Sequence, residues 1–216
     1  MADGEDRRFG ELPHAQTVAA AAAIRRLTGM LLSLEQPHPV VEEMLGQFAQ
    51  WEDELAPALP SDPRPRMVDD TEDRRVYLQH AFDLGAYNPC FPEYHFNEIS
   101  PETASGTATF PLVFEGPPGL VHGGFLGVFF DCVTQHHSCA VGKAGKTRSL
   151  TVTYRRPTPL ETPLRFDIAR SEAERGIVST ARLLLDGEVL CSGEAATVAL
   201  PPERLSANRY GRRREH

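Results

Sequence analysis

Asp131 is the one carboxylate inside the apolar run from Phe125 to Val133. In a helix turning by about 100° per residue, its stripe holds Gly124, Gly127, Thr134, Gln135 and Ser138. A carboxylate buried in such a setting is costly unless it is paired or hydrogen-bonded. It is therefore either a structural acid bonded to a facing backbone or a reactive group. The two glycines, which let a ligand come close, favour a site. Just upstream, Glu115-Gly116-Pro117-Pro118-Gly119 makes a stiff turn and His122-Gly123-Gly124 opens the helix. The unpaired N–H groups of a first helical turn carry partial positive charge and can hold a developing oxyanion.

Other reactive side chains group less well. His136 and His137 stand near Cys132 and Cys139, but no Cys-x-x-Cys or His-x-x-x-His pair provides metal-ligand spacing. Cys132 and Cys139 are separated by roughly 10 Å of helix rise, too far for a disulfide. No metal and no cofactor is expected. Cys139 and Cys191 have no basic neighbours that would activate a thiol. Lys143, Lys146, Arg148, Arg155 and Arg156 form a locally basic stretch, read either as solvated strand edges or as a clamp for phosphates.

These residues need elements to hold them. The spacing of apolar residues predicts helices over Ala15 to Leu34 and Val40 to Leu55, separated by Pro37 and Pro39. Residues 56–65 hold four prolines and read as a linker, followed by a charged stretch from Asp69 to Arg75. From Tyr94 the texture becomes β, first over Tyr94 to Ile99 and then over Thr103 to Phe110. The helix of Asp131 spans His122 to about Val141. After it come runs at Leu150–Tyr154 and Leu164–Ile168, then a hairpin of Ile177–Leu185 and Glu188–Leu200 turning at Asp186-Gly187. Strands, one helix, then consecutive strands exclude regular βαβ alternation and indicate an α+β fold. The expected organisation is a helical extension over residues 1–90, one domain over 91–202 and a basic tail over 203–216.

Composition limits the partners. The 216 residues carry 22 Lys plus Arg and 30 Asp plus Glu, a formal net charge of −8. That balance is poor for binding a nucleic-acid backbone. Four cysteines are too few for a disulfide scaffold. The polar start of the chain is unlike a signal peptide, and no apolar run reaches the roughly 18 residues of a membrane span. A cytoplasmic protein is expected.

Residues 116–160 resemble the hotdog-fold acyl-CoA thioesterases of the phenylacetate-pathway type. That family has a His-Gly-Gly at the start of its central helix and an acidic residue nine positions after the His, matched here by His122-Gly123-Gly124 and Asp131. It then has a strand of the form T-x-x-L-x-x-x-Y-x-x-P, matched by Thr147, Leu150, Tyr154 and Pro157. The resemblance implies a curved antiparallel sheet wrapped around one helix, in homodimers or tetramers with active sites at the interface. It implies hydrolysis of an acyl-CoA to a free acid and CoA. Asp131 would be nucleophile or general base, and the Gly123 N–H would polarise the carbonyl. His122 would orient the loop or touch substrate. Thr147, reached across the dimer, would bond water or the carboxylate. Gly124, Gln135, Arg148, Arg155 and Arg156 would bind substrate. Many family members carry an Asn six residues before the His, where this chain has Gly116. A non-catalytic hotdog protein binding acyl-CoA or another apolar ligand is the alternative. Asp131 and His136 share the separation found in hotdog enoyl-CoA hydratases, but they point about 140° apart on a helix and lack that motif's context.

Overall fold

The computed structural model describes residues 15–59, 84–141, 145–173 and 176–199. The charged stretch at 69–75, Lys143 and the basic tail lie outside the described residues, as does most of the proline-rich segment.

Helix α1 (Ala15–Leu32) forms from the alanine run and α2 (Pro39–Leu55) starts one residue after His38. His38 caps α2, its Nδ1 accepting the Val40 N–H at 3.3 Å, and Pro39 takes the first helical position, where no N–H is needed. A short α3 (Leu84–Tyr87) was not foreseen from sequence. Arg25 joins α1 to it. Only 4 % exposed, Arg25 donates to the Gly85 and Asn88 carbonyls and pairs with Glu93 at 2.7 Å. Helix α2 buries no residue, and its Leu45, Trp51 and Leu55 stay exposed.

Six strands follow: β1 (Tyr94–Ile99), β2 (Thr103–Ala108), β3 (Gly145–Tyr154), β4 (Leu164–Ala173), β5 (Gly176–Leu185) and β6 (Glu188–Ala199). They make one sheet in the order β1-β2-β4-β5-β6-β3, with every pairing antiparallel. The β5–β6 hairpin turns where expected. Asp186 and Gly187 both have positive φ, 50° and 85°, as a two-residue turn matching strand twist requires. The strand expected to reach Phe110 stops at Ala108, and β3 begins earlier than the Leu150 run suggested.

The sheet packs on α4 (Gly123–Ala140). Phe110, Phe114, Phe129, Phe130 and Phe166 are at most 1 % exposed and meet in edge-to-face contacts such as Phe129–Phe166, 5.5 Å between ring centres. Phe129 and Phe130 are thus core, whereas Phe125 is half-buried against Phe114. The turns of α4 facing β1 carry histidines. His136 Nδ1 meets the Tyr94 hydroxyl at 3.1 Å and its ring lies against Phe96. His137 is fully buried and donates from Nε2 to the Ser100 carbonyl at 2.6 Å.

Burial holds both histidines below their ordinary value, His136 down to about 4, so the fold favours their neutral forms. Between about pH 6.5 and 4 the unfolded chain binds protons that the folded chain refuses. Stability is therefore fully present above pH 6.5 and is lost as pH falls through this window. Water at the partly exposed ring of His136 blunts the full effect, leaving about 2 kcal/mol from this residue. Urea unfolding at pH 7 and pH 4.5 should show that loss, and His136→Phe should reduce it. An equal loss in the variant would contradict the assignment to His136.

Candidate active site

Helix α4 starts with the side chain of His122 as its cap. His122 Nδ1 accepts the Gly124 N–H at 3.0 Å, which puts the proton of the neutral ring on Nε2, facing outward. The Gly124 amide is thus committed to the cap and not open to substrate. Gly123, at the first helical position, keeps an N–H with no intrahelical acceptor. Tyr154, at the end of β3, donates its hydroxyl to the Gly123 carbonyl at 2.9 Å. Its ring lies so close that a Cβ at Gly123 would sit 3.0 Å from the phenolic oxygen.

Four residues spaced one turn apart continue from there along the β3 side of α4. Gly123 faces Tyr154, and a Cβ on Gly127 would just touch Val152. Asp131 Oδ1 accepts the Thr147 hydroxyl at 2.6 Å. Gln135 Nε2 reaches Thr147 Oγ1 at 2.8 Å and Thr197 Oγ1 at 3.1 Å. Thr134 and Ser138, expected on the same stripe, are instead buried, and the Thr134 hydroxyl turns back to the Phe130 carbonyl at 2.8 Å. The polar stripe is therefore a narrower row of Gly, Gly, Asp and Gln.

Thr147 reaches this row because β3 is irregular. Leu150 and Val152 point toward α4, so strict alternation would send Arg148 inward and Thr147 outward. The β3–β6 register shifts between Thr147 and Ser149, adding one residue to β3. Such a bulge reverses the phase of the strand beyond it. Thr147 comes to the helix side half-buried, and Arg148 is left exposed.

Asp131 is half-buried, where its row meets the sheet edge at β3. Thr147, expected to be reached across a dimer, bonds Asp131 within its own chain, because the bulge turns it toward its own helix. The other expected residues separate. Lys146, Arg148 and Arg155 are exposed, and Arg156 is engaged by Glu188 at 2.8 Å. His136 faces β1, away from Asp131, which divides that pair between two sides of the helix. Among the described residues no three His, Cys, Asp or Glu side chains converge as metal ligands. Burial raises the Cys139 thiol and pushes Cys191 up to about 11. The sequence reading missed Thr197 altogether, since its hydroxyl becomes relevant only through cross-strand pairing with Thr147. A groove of about 860 Å³ between Glu98, Ser105, Asp167 and Arg182 is lined by no residue of α4.

Gly116 also finds a reason in this geometry. A Cβ there would lie 2.7 Å from His122 Cα and 2.8 Å from His122 Cβ, so the turn admits no side chain without moving the helix cap. Gly116→Ala should cost about 1–3 kcal/mol by this overlap. His122→Ala should cost about 1 kcal/mol through loss of the cap. Chemical denaturation of both variants checks the pair, and an unchanged Gly116→Ala midpoint would contradict the packing.

No family model matches the sequence, and no curated protein matches it. Solved structures do. A thioesterase superfamily protein aligns over 84 % of this chain and 90 % of its own, with 28 % identity and a TM-score of 0.69. A phenylacetic acid degradation-related protein from Ralstonia eutropha JMP134 aligns over 49 % of this chain and 83 % of its own, at 21 % identity and a TM-score of 0.45. A hypothetical thioesterase crystallised with coenzyme A, from Streptococcus pneumoniae TIGR4, aligns over 50 % and 86 %, at 15 % identity and a TM-score of 0.47. The first likeness extends over most of both chains and takes in more than the sheet and its helix. With that sheet packed around α4, the chain has a hotdog fold and is similar over most of its length to that thioesterase superfamily protein.

Proposed function

We propose that the protein is an acyl-CoA thioesterase, hydrolysing a thioester to a free acid and CoA. The observation that carries this reading is the state of Asp131. Asp131 is half-buried and its carboxylate is fixed through Oδ1 by the Thr147 hydroxyl at 2.6 Å, on the same helix row as the Gly123 amide, which has no partner among the described residues. A carboxylate so held can act on water or directly on a carbonyl carbon.

One chain does not complete the reaction. Eight residues of helix separate Gly123 from Asp131, about 12 Å of rise. The oxyanion donor and the attacking group must both come within about 3 Å of one reacting carbonyl. An antiparallel second copy of α4 would bring the partner subunit's Gly123 to Asp131. The ten-residue strand β3 forms an edge of the sheet, the kind of edge that proteins usually cover, which supports pairing of copies there. A homodimer, or a tetramer built from two, is the proposed working unit.

In the reaction, Asp131 takes a proton from water as the water oxygen bonds to the thioester carbon. The oxyanion that forms rests on the N–H of the partner subunit's Gly123, at the positive end of that helix. Collapse breaks the carbon–sulfur bond, and the proton held by Asp131 goes to the departing thiolate. In the nucleophilic variant, Asp131 displaces the thiolate itself and water then cleaves the resulting anhydride. His122 shapes the oxyanion loop through its cap. Lys146, Arg148 and Arg155 give an exposed basic rim near the same strand, suited to the phosphates of CoA.

Thiol release from a panel of acyl-CoA substrates tests the proposal. Asp131→Asn should lower kcat by about 10²–10⁴-fold while acyl-CoA still binds. Thioester-binding wild type with no turnover would favour the non-catalytic reading, for which the absence of an Asn side chain at Gly116 speaks. Arg148→Ala combined with Arg155→Ala should raise KM several-fold at low salt, with little change in kcat and a smaller effect at high salt. A salt-independent KM would remove the basic rim from the proposal.

A further inference from the structure

We infer that Gln135 and Thr197 form a positioning chain that forces the Thr147 proton onto Asp131 Oδ1 and leaves Oδ2 as the reacting oxygen. The choice of Oδ2 rests on the proposed function. The hydrogen-bond order behind it does not.

The donors and acceptors admit one arrangement. Thr147 has a single hydroxyl proton and two lone pairs, and an ionised Asp131 can only accept. Thr147 lies 2.6 Å from Asp131 Oδ1 and 2.8 Å from the Gln135 amide nitrogen. If Gln135 turned its carbonyl oxygen to this position, Oε1 and Oδ1 would compete for the one proton. With the amide NH₂ there, one N–H goes to Thr147 and the other to Thr197 at 3.1 Å. Both donors are used, and the Thr147 proton has only Oδ1 to go to.

The far end of the chain is anchored. Thr197 is 6 % exposed on β6 and stands directly opposite Thr147 in the β3–β6 pairing. Gln135 thus bridges two facing threonines from above. The Thr147 hydroxyl cannot turn its proton toward water without leaving Asp131 Oδ1 with no donor. The two carboxylate oxygens are consequently unlike. Oδ1 is held by a short bond to the Thr147 hydroxyl at 2.6 Å. Oδ2 has no bonding partner among the described residues. Gln135, expected from sequence to bind substrate, serves here as a positioning residue, as does Thr197.

The test is the split of kcat and KM for the full chain with an acyl-CoA substrate, read by thiol release, paired with NMR of the Gln135 side-chain amide protons at fixed pH. Thr147→Val removes the donated proton and should lower kcat several-fold with little change in KM, and Thr147→Ser should restore it. Gln135→Leu should lower kcat by less. Gln135→Glu should lower it at least as far as Thr147→Val, because its carboxylate captures the Thr147 proton. Thr147→Val and Thr197→Val should each move one of the two Gln135 amide proton signals. If Gln135→Leu and Gln135→Glu leave kcat unchanged, or the Gln135 amide signals ignore both threonine variants, the inference is overturned. If wild type shows no turnover, the proposed function fails, and the amide signals alone decide the order of the chain.

Discussion

The site depends on one hydrogen bond, from the Thr147 hydroxyl to Asp131 Oδ1 at 2.6 Å. It joins the central helix to the edge strand at the point where an otherwise apolar helix carries a negative charge. A carboxylate among phenylalanines is costly if it is left without a partner. Here the row that carries it is turned toward β3, whose bulge delivers a hydroxyl at the required place. The small residues at Gly123 and Gly127 let the helix lie close to Tyr154 and Val152, which brings Asp131 within reach of Thr147. Removing any one of these three features, the small row, the bulge or the hydroxyl, would undo the geometry of the others.

The arrangement also separates two tasks along α4. Its β1 side holds His136 and His137 neutral, packed against Tyr94, Phe96 and the Ser100 carbonyl. Its β3 side holds the hydrogen-bonded carboxylate. Polar groups six residues apart or fewer therefore have different surroundings, set by what each side of the helix meets. The helix start adds the third part, a cap made by His122 that leaves the Gly123 amide without a partner among the described residues.

Much of the fold was legible in the sequence because the signals were periodic. The alternation of Leu164, Phe166 and Ile168, the Asp186-Gly187 turn and the apolar circumference of α4 each led to the element observed. Asp131 and the His122-Gly123-Gly124 start could be singled out by chemical type and spacing. The bulge at Thr147–Ser149 could not, since a one-residue shift leaves no compositional trace and reverses which side chains face the helix. For the same reason Arg148 and Thr147 could not be sorted, and Thr197 stood unremarked. The buried Arg25 was equally hidden, as its partners Gly85, Asn88 and Glu93 lie some sixty residues away in sequence. Long-range polar pairing of that kind follows from the fold and cannot precede it.

Under the proposed function, the carboxylate of Asp131 performs the chemistry on a thioester. A single-turnover measurement of thiol release, comparing wild type with Asp131→Asn at equal occupancy by the same acyl-CoA, addresses it most directly. Rapid release by the wild type is expected, with a loss of at least about 10²-fold in the variant and binding retained. Equal rates of release at equal occupancy would contradict it.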